Sequence, residues 1–369
     1  MKLRRLMVPR WKMRRELRSL REQIAALPEL IVGPLRKRRA DRRFPHDLRI
    51  ADGAAPASAR IAIYLTFQPN GLAESTLIAC RHLAERGYAV LLVANAPIAD
   101  ADRERLAPHV WRFVQRVNFG YDFGGYRDGL QLLQHWQARP RYLIVLNDSI
   151  WFPLYPQEDL IARMEGSEAA FVGAQRYVDH LDDLEERTGI LMSFLFLFKA
   201  PLLESPEFRR FWRSYVPSSS KVLTVRRGER RFSRQLIARG QTGDGIYSPV
   251  RFLQAMAQQS TEFLAKTLDY AAYTDADLER ESGALLAEPV RDDSWRDRVL
   301  VHLRTTSGRR NFCSAFPYAS IQALGVPFLK KNRAELQMRM RRQFLRAVAA
   351  GELPRPVEAI FREIERSVE

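Results

Sequence analysis

From residue 60 onward the chain alternates short apolar runs with amphipathic stretches. Ile61-Ala62-Ile63-Tyr64-Leu65 reads as a strand ending in Thr66-Phe67-Gln68-Pro69-Asn70-Gly71. Leu77, Ile78 and Leu83 then share one face of a helix that stops at Gly87. Ala89 to Val93 is a second strand running into Ala94-Asn95, and Trp111 to Val117 is a third. A Gly-rich turn follows, Asn118-Phe119-Gly120-Tyr121-Asp122-Phe123-Gly124-Gly125, with Asp122 at the expected N-cap of the next helix. Tyr126, Leu130, Leu133 and Trp136 recur there at helical spacing, Pro140 ends the helix, and Tyr142 to Leu146 forms a fourth, buried strand. Ala169 to Gly173 and Leu191 to Phe198 supply a fifth and a sixth. Strands and helices alternating at this rhythm predict an α/β fold, a Rossmann-type, mostly parallel sheet flanked by helices.

Helical extensions bracket that region. Before it, Met13, Leu17, Leu20, Ile24, Leu27 and Ile31 form a heptad stripe set among arginines. After Lys330, basic helices broken at Gly351 and Pro354 are expected on the outside. The pattern divides the chain into an arm and linker over 1–55, a main domain over 56–330 and C-terminal helices over 331–369. Ser205-Pro206 and Gly228-Glu229 each read as a helix start.

Charge sharpens the division. The formal net charge is +16 over 369 residues, and residues 1–50 alone hold 16 Lys and Arg against 5 Asp and Glu. A basic amphipathic arm suits packing on its own domain, pairing with a second copy, or an anionic membrane surface. Nucleic acid is not expected, since no recognition module or aromatic-interleaved basic patch follows. With 46% hydrophobic and 10% aromatic residues the remainder suits a globular core. Cys80 and Cys313 show no paired spacing and the six histidines no metal-ligand spacing, so neither a disulfide framework nor a zinc site is indicated. No apolar run is long enough to span a bilayer, and the first 30 residues lack a secretory segment, which favours the cytoplasm.

The candidate chemistry gathers at strand ends. Asn147-Asp148-Ser149 directly follows a fully apolar strand, where open α/β sheets place ligands. Thr66 and Asn95 end two neighbouring strands on the same edge. Asp148 is a carboxylate able to hold Mg²⁺ or Mn²⁺, and Asn118, Gly120, Asp122 and Gly124 form a turn whose backbone could approach a diphosphate. The acidic loop between Arg176 and Gly189 either is simply solvated or covers the site with a base, Asp182 or Asp183. No GxGxxG follows the first strand, which disfavours a dinucleotide-dependent dehydrogenase.

These residues resemble the rhamnan synthesis protein F family of bacterial polysaccharide glycosyltransferases. The resemblance spans about Arg60 to Lys331. It rests on Asn118-x-Gly-Tyr-Asp-Phe-Gly with Tyr126-Arg127-Asp128-Gly129-Leu130, and on Leu146-Asn147-Asp148-Ser149 with Pro153. Ser193-Phe194-Leu195-Phe196, Phe211-Trp212, Gly228-Glu229 ahead of Ser233, and Gly325-Val326-Pro327-Phe328-Leu329-Lys330 continue it. The order of turn, helix, strand and acidic tip also looks like the donor half of GT-A transferases, whose DxD metal motif has only Asp148 here. The resemblance implies transfer of a sugar, dTDP-rhamnose favoured as donor, to a lipid-linked glycan at the inner face of the bacterial inner membrane, with Arg127 expected to assist the diphosphate. It leaves open a non-catalytic nucleotide-sugar or glycan-binding protein.

Overall fold

A computed structural model describes residues 27–178 and 189–369. The strands are β1 (Arg49–Asp52), β2 (Arg60–Thr66), β3 (Ala89–Ala94), β4 (Arg112–Gln115), β5 (Tyr142–Asn147), β6 (Ile150–Trp151), β7 (Phe171–Tyr177), β8 (Ile190–Leu191), β9 (Leu195–Lys199), β10 (Gly243–Tyr247) and β11 (Leu329–Lys330). Among the described residues nine strands form one sheet in the order β1-β4-β3-β2-β5-β9-β7-β10, with β8 beside β7. β4, β3, β2 and β5 run parallel, so the α/β expectation holds in this half. β9 runs antiparallel to both β5 and β7, and β1 antiparallel to β4, while β7 and β10 share the direction of β5, so the sheet is mixed with most of its strands parallel, as expected. The apolar run 191–198 is two strands, β8 and β9, separated by a short turn, and both pair antiparallel with β7.

Helices cover both faces. Those used below are α1 (Leu27–Arg43), α2 (Glu74–Glu85), α3 (Tyr121–His135), α4 (Pro206–Ser214), α5 (Arg230–Ile237), α6 (Glu335–Ala349) and α7 (Glu358–Arg366). Alternation along β2 decides which residues meet which layer. Ile61, Ile63 and Leu65 face α3, α4 and α5, where Phe232 packs among Phe123, Phe211 and Trp212. Ala62 and Tyr64 face the other way, into a core shared with α2 and the helices after Pro249. Burial on both faces explains why these strands read as continuous apolar runs.

Three sequence expectations shift. The arm boundary near residue 55 cuts a folded unit, since β1 extends the sheet and Asp41 of α1 takes the guanidinium of Arg127. Gly228 is not a helix start. It lies in a π-type turn joining the 221–224 helix to α5, where an added Cβ would stand 2.5 Å from the Phe123 ring. The C-terminal helices do more than cover the outside. Glu363 of α7 accepts from the Ser75 N–H at 2.9 Å, the Ser75 hydroxyl at 2.7 Å and the Trp151 indole at 2.8 Å, clamping α2 to the strand after the acidic tip. The heptad stripe lies almost wholly outside the described residues.

The glycine turn is built for its own packing. Gly120 has φ 83°, the left-handed conformation that favours glycine, and it rather than Asp122 is the N-cap of α3. A Cβ on Gly124 would stand 2.2 Å from the Phe119 carbonyl oxygen, a backbone atom that cannot swing aside. Gly124→Val therefore strains the start of α3 whether or not a ligand is bound, and overpacking of this kind costs about 1–3 kcal/mol. Thermal unfolding should show a clearly lowered Tm; an unchanged Tm would remove the packing role.

Candidate functional site

The parallel strands β2 and β5 are neighbours, yet their chain connections leave in opposite directions, β2 toward β3 and β5 toward β9. A crevice opens at the carboxyl ends of such a pair. Asp148 stands there, directly after β5. Its Oδ2 accepts from the Thr66 hydroxyl at 2.8 Å, the Phe67 N–H at 2.9 Å and the Gln68 amide at 3.0 Å, all from the end of β2. Among the described residues no hydrogen bond takes Oδ1. One oxygen thus fixes the carboxylate and the other is available. Gln68 is itself held, its Oε1 accepting from the Ala73 N–H at 2.7 Å.

Asn147 joins this centre to the glycine turn. Its amide donates to Asp122 Oδ2 at 3.0 Å, while its Oδ1 accepts from the Ser149 N–H at 3.1 Å and hydroxyl at 2.6 Å. Asp122, Asn147, Asp148, Ser149 and Thr66 are therefore one connected set. Asp122 is exposed as a residue, while its carboxyl group is crowded by neighbouring atoms that strip it of water. Burial raises its pKa to about 6, with the charges of Asp148 and Glu229 adding to the rise and Lys221 and Lys330 opposing it. Asn118 is exposed in the turn, as a residue reaching for a ligand would be.

Two residues fall elsewhere. Asn95 is buried at the end of β3, where its Oδ1 accepts from Arg116 at 2.5 Å. Arg116 also donates to Asp128 at 2.7 Å and to the Phe119 carbonyl at 2.6 Å, so it pins the turn from below. Asn95 supports the turn through Arg116. Arg127 points away from the diphosphate role expected of it: it is buried, with its guanidinium on Asp41 of α1. It lines a separate cleft of about 1110 Å³ between α1, α3 and α4. Asp182 and Asp183 lie outside the described residues.

Four charged groups near the centre were given no site role from the sequence. Glu229 accepts from the Ser193 N–H at 3.4 Å. β11 pairs antiparallel with β6, setting Lys330 opposite Ile150, and the Lys331 N–H donates to the Ser149 carbonyl at 2.8 Å. The Lys331 ammonium donates to the Ser75 hydroxyl at 2.7 Å and lies 4.0 Å from Glu363. Only a contact across some 180 residues brings these lysines to the acidic tip. The available signal was the apolar run Val326 to Leu329 ending in two lysines.

Asp122 gives the site a pH signature. Its pKa is higher folded than unfolded, so the folded state binds more protons between about pH 4 and 6. Stability therefore falls as pH rises through that window and stays reduced above it. Asp122→Asn keeps an acceptor for Asn147 and removes the buried charge. Its Tm should exceed that of the wild type at pH 7 and converge with it near pH 4; a variant less stable at both values would contradict this.

Comparison with known proteins adds the following. The chain is 28% identical over 365 residues to the uncharacterized protein y4gN of Sinorhizobium fredii, covering 95% of this chain and 90% of that one. Among solved structures, the mannosyltransferase PcManGT from Pyrobaculum calidifontis, in complex with GDP-Man and Mn²⁺, aligns with a TM-score of 0.34 and 14% identity. That alignment covers 90% of this chain and 88% of the other. Residues 90–269 match the model of the family described as Rhamnan synthesis protein F, a narrower span than Arg60 to Lys331 but one that holds Asn118, Asp122, Asp148 and Glu229.

Proposed function

We propose that this chain is a glycosyltransferase of polysaccharide synthesis that moves a sugar, a deoxysugar such as rhamnose favoured, from a nucleoside diphosphate to a growing glycan. The observation carrying this reading is Asp148, fixed through one oxygen at the strand-order reversal and free at the other. The match to the rhamnan synthesis protein F family supports it. In such a transfer the bond from the sugar's anomeric carbon to the diphosphate oxygen breaks, and the diphosphate departs with the electron pair. The acceptor hydroxyl oxygen bonds to that carbon and gives its proton to a base. Asp122, Asn118 and Ser149 line the donor side of the crevice. Asp182 and Asp183 stay candidates for the base.

A divalent cation fits this site in a limited way. Asp148 Oδ1 offers one hard oxygen, but among the described residues no group of three His, Cys, Asp or Glu side chains could hold a metal ion. That donor set suits Mg²⁺ or Mn²⁺ held by one carboxylate, water and the ligand's own phosphates, not a closed protein cage. When bound, the cation would neutralise charge developing on the diphosphate.

Asp148→Asn tests the assignment. Asparagine still offers an oxygen to Thr66, Phe67 and Gln68, so the fold should persist with Tm nearly unchanged. Transfer from, or hydrolysis of, the nucleoside diphosphate sugar should fall about a thousandfold, the scale of losing a main electrostatic group. Wild-type turnover in this variant would sink the assignment. Binding of nucleoside diphosphate sugars by the wild type with no hydrolysis or transfer, with or without Mn²⁺, would favour the second reading, a non-catalytic binder. The lone acidic residue in Asn147-Asp148-Ser149 keeps that reading open.

Among the described residues no helix is long and apolar enough to cross a membrane. We infer that the arm meets the inner membrane face, where a lipid-linked glycan acceptor would be reached from the cytoplasm. Arg38, Arg39, Arg42 and Arg43 of α1 are exposed and continue the charge of the first 26 residues. Each basic residue at an anionic surface contributes about 1 kcal/mol. Because α1 and β1 belong to the fold, the informative truncation removes residues 1–26 only. It should leave Tm unchanged yet cut co-sedimentation with anionic vesicles at low salt by about tenfold or more. Equal sedimentation of both proteins would end the membrane reading.

A further inference from the structure

The mechanism above leaves the leaving diphosphate without a protein cation, because Arg127 is committed to Asp41. Two lysines reach the crevice from β11, and they differ in how they are held. Lys331 is fully employed, its ammonium on the Ser75 hydroxyl at 2.7 Å and near Glu363. Lys330 is not. Its Nζ sits 3.3 Å from the centroid of the Phe194 ring, and among the described residues no hydrogen bond or ion pair takes it. The ring attracts the ammonium through its negative face but cannot accept its protons as an oxygen would. Three donors on a half-buried side chain thus have no hydrogen-bond acceptor among the described residues.

We propose that Lys330 is the cation that receives the diphosphate of the donor, so that the carboxyl-terminal strand β11 completes the site begun by β5. This rests on the function proposed above. An ammonium is a compact point charge suited to phosphate oxygens. Pairing of β11 with β6 sets it beside the acidic tip, on an element that nothing but the fold brings there. The groups facing it are Glu229, Asp122 and the buried thiol of Cys313. Burial pulls the pKa of Lys330 down to about 7 despite those neighbours, so its charge is held at a loss that an arriving dianion would relieve. Packing alone gives no reason for such a group, since Met would fill the same space over Phe194 without desolvating a charge.

The test uses the full chain and calorimetric titration with UDP, GDP, dTDP, their nucleosides and inorganic pyrophosphate. For whichever nucleoside diphosphate binds the wild type, Lys330→Met should weaken affinity at least tenfold and leave nucleoside affinity unchanged. Its Tm should be equal or higher. The protonated lysine is the binding form, so wild-type diphosphate affinity should decline as pH rises above about 7, in addition to the change that Asp122 brings near pH 6. Lys330→Arg, charged throughout, should bind the diphosphate without that decline. Diphosphate affinity within twofold of wild type in Lys330→Met, or equal loss for nucleoside and diphosphate, would overturn the role of Lys330 and leave the transferase reading standing. A wild type that binds no nucleoside diphosphate and no pyrophosphate would overturn both.

Discussion

Everything at the candidate site depends on one carboxylate oxygen. Asp148 Oδ2 takes the Thr66 hydroxyl, the Phe67 N–H and the Gln68 amide together, which ties the end of β5 to the end of β2 where strand order reverses. That bond set needs β2 and β5 side by side and in register, from Arg60 opposite Tyr142 to Leu65 opposite Asn147. It also needs α3 pressed against β2, which small residues on the helix allow: a Cβ on Gly125 would stand 2.3 Å from the Leu65 side chain. Only with the helix so close does Asp122 reach Asn147. Backbone geometry, core packing and site polarity are therefore one requirement, and loosening any of them moves the carboxylates apart.

Two groups in the crevice are held against their preference. Burial pushes the Asp122 carboxyl up to about 6 and the Lys330 ammonium down to about 7. A fold with no further use for such charges would pair them or replace them with apolar groups of similar size. Neither has happened here. Asp122 receives its hydrogen bond from the neutral amide of Asn147, and the nearest described partner of Lys330 is an aromatic ring. Elsewhere in the protein buried charges are compensated, as where Glu158 takes His82 at 2.6 Å and Arg86 at 3.2 Å. The contrast within one molecule separates charges that hold the fold from charges that await something.

Local patterns made half of this legible. Apolar runs bounded by turn residues located β2, β3, β5 and the helix between β4 and β5, because burial on both faces writes itself into consecutive residues. The polar tip Asn147-Asp148-Ser149 was readable for the same reason, standing out after a fully apolar strand. Strand direction was not readable: nothing in Leu195 to Lys199 says that it runs antiparallel to β5. The glycine turn was found but misjudged, since a glycine needed for close packing against Phe119 looks identical in sequence to one needed for a ligand. Arg127 was misjudged likewise, its partner Asp41 lying 86 residues away. Lys330 and Glu229 were read only as motif residues and Glu363 not at all, because only tertiary pairing brings them to the tip.

The charge balance of the crevice has a consequence for any anionic ligand. Asp148 and Glu229 both bear on Asp122, Glu229 and Asp122 both bear on Lys330, and Lys221 bears on Asp122, so three carboxylates stand close to any anion that enters. A diphosphate entering beside those carboxylates is repelled by each of them, and positive charge arriving with it offsets that repulsion. Three sources are chemically equivalent in this respect: protonation of Lys330, protonation of Asp122, or a divalent cation at Asp148 Oδ1. The first two are set by pH near neutrality, the third by metal concentration. Under the proposed function these sources substitute for one another, because each removes part of the same repulsion. That explains how a site with a single acidic residue at its tip can still work on a diphosphate. Under that proposal Lys330, from the far end of the domain, supplies positive charge that a second acidic metal ligand would otherwise bring through its cation.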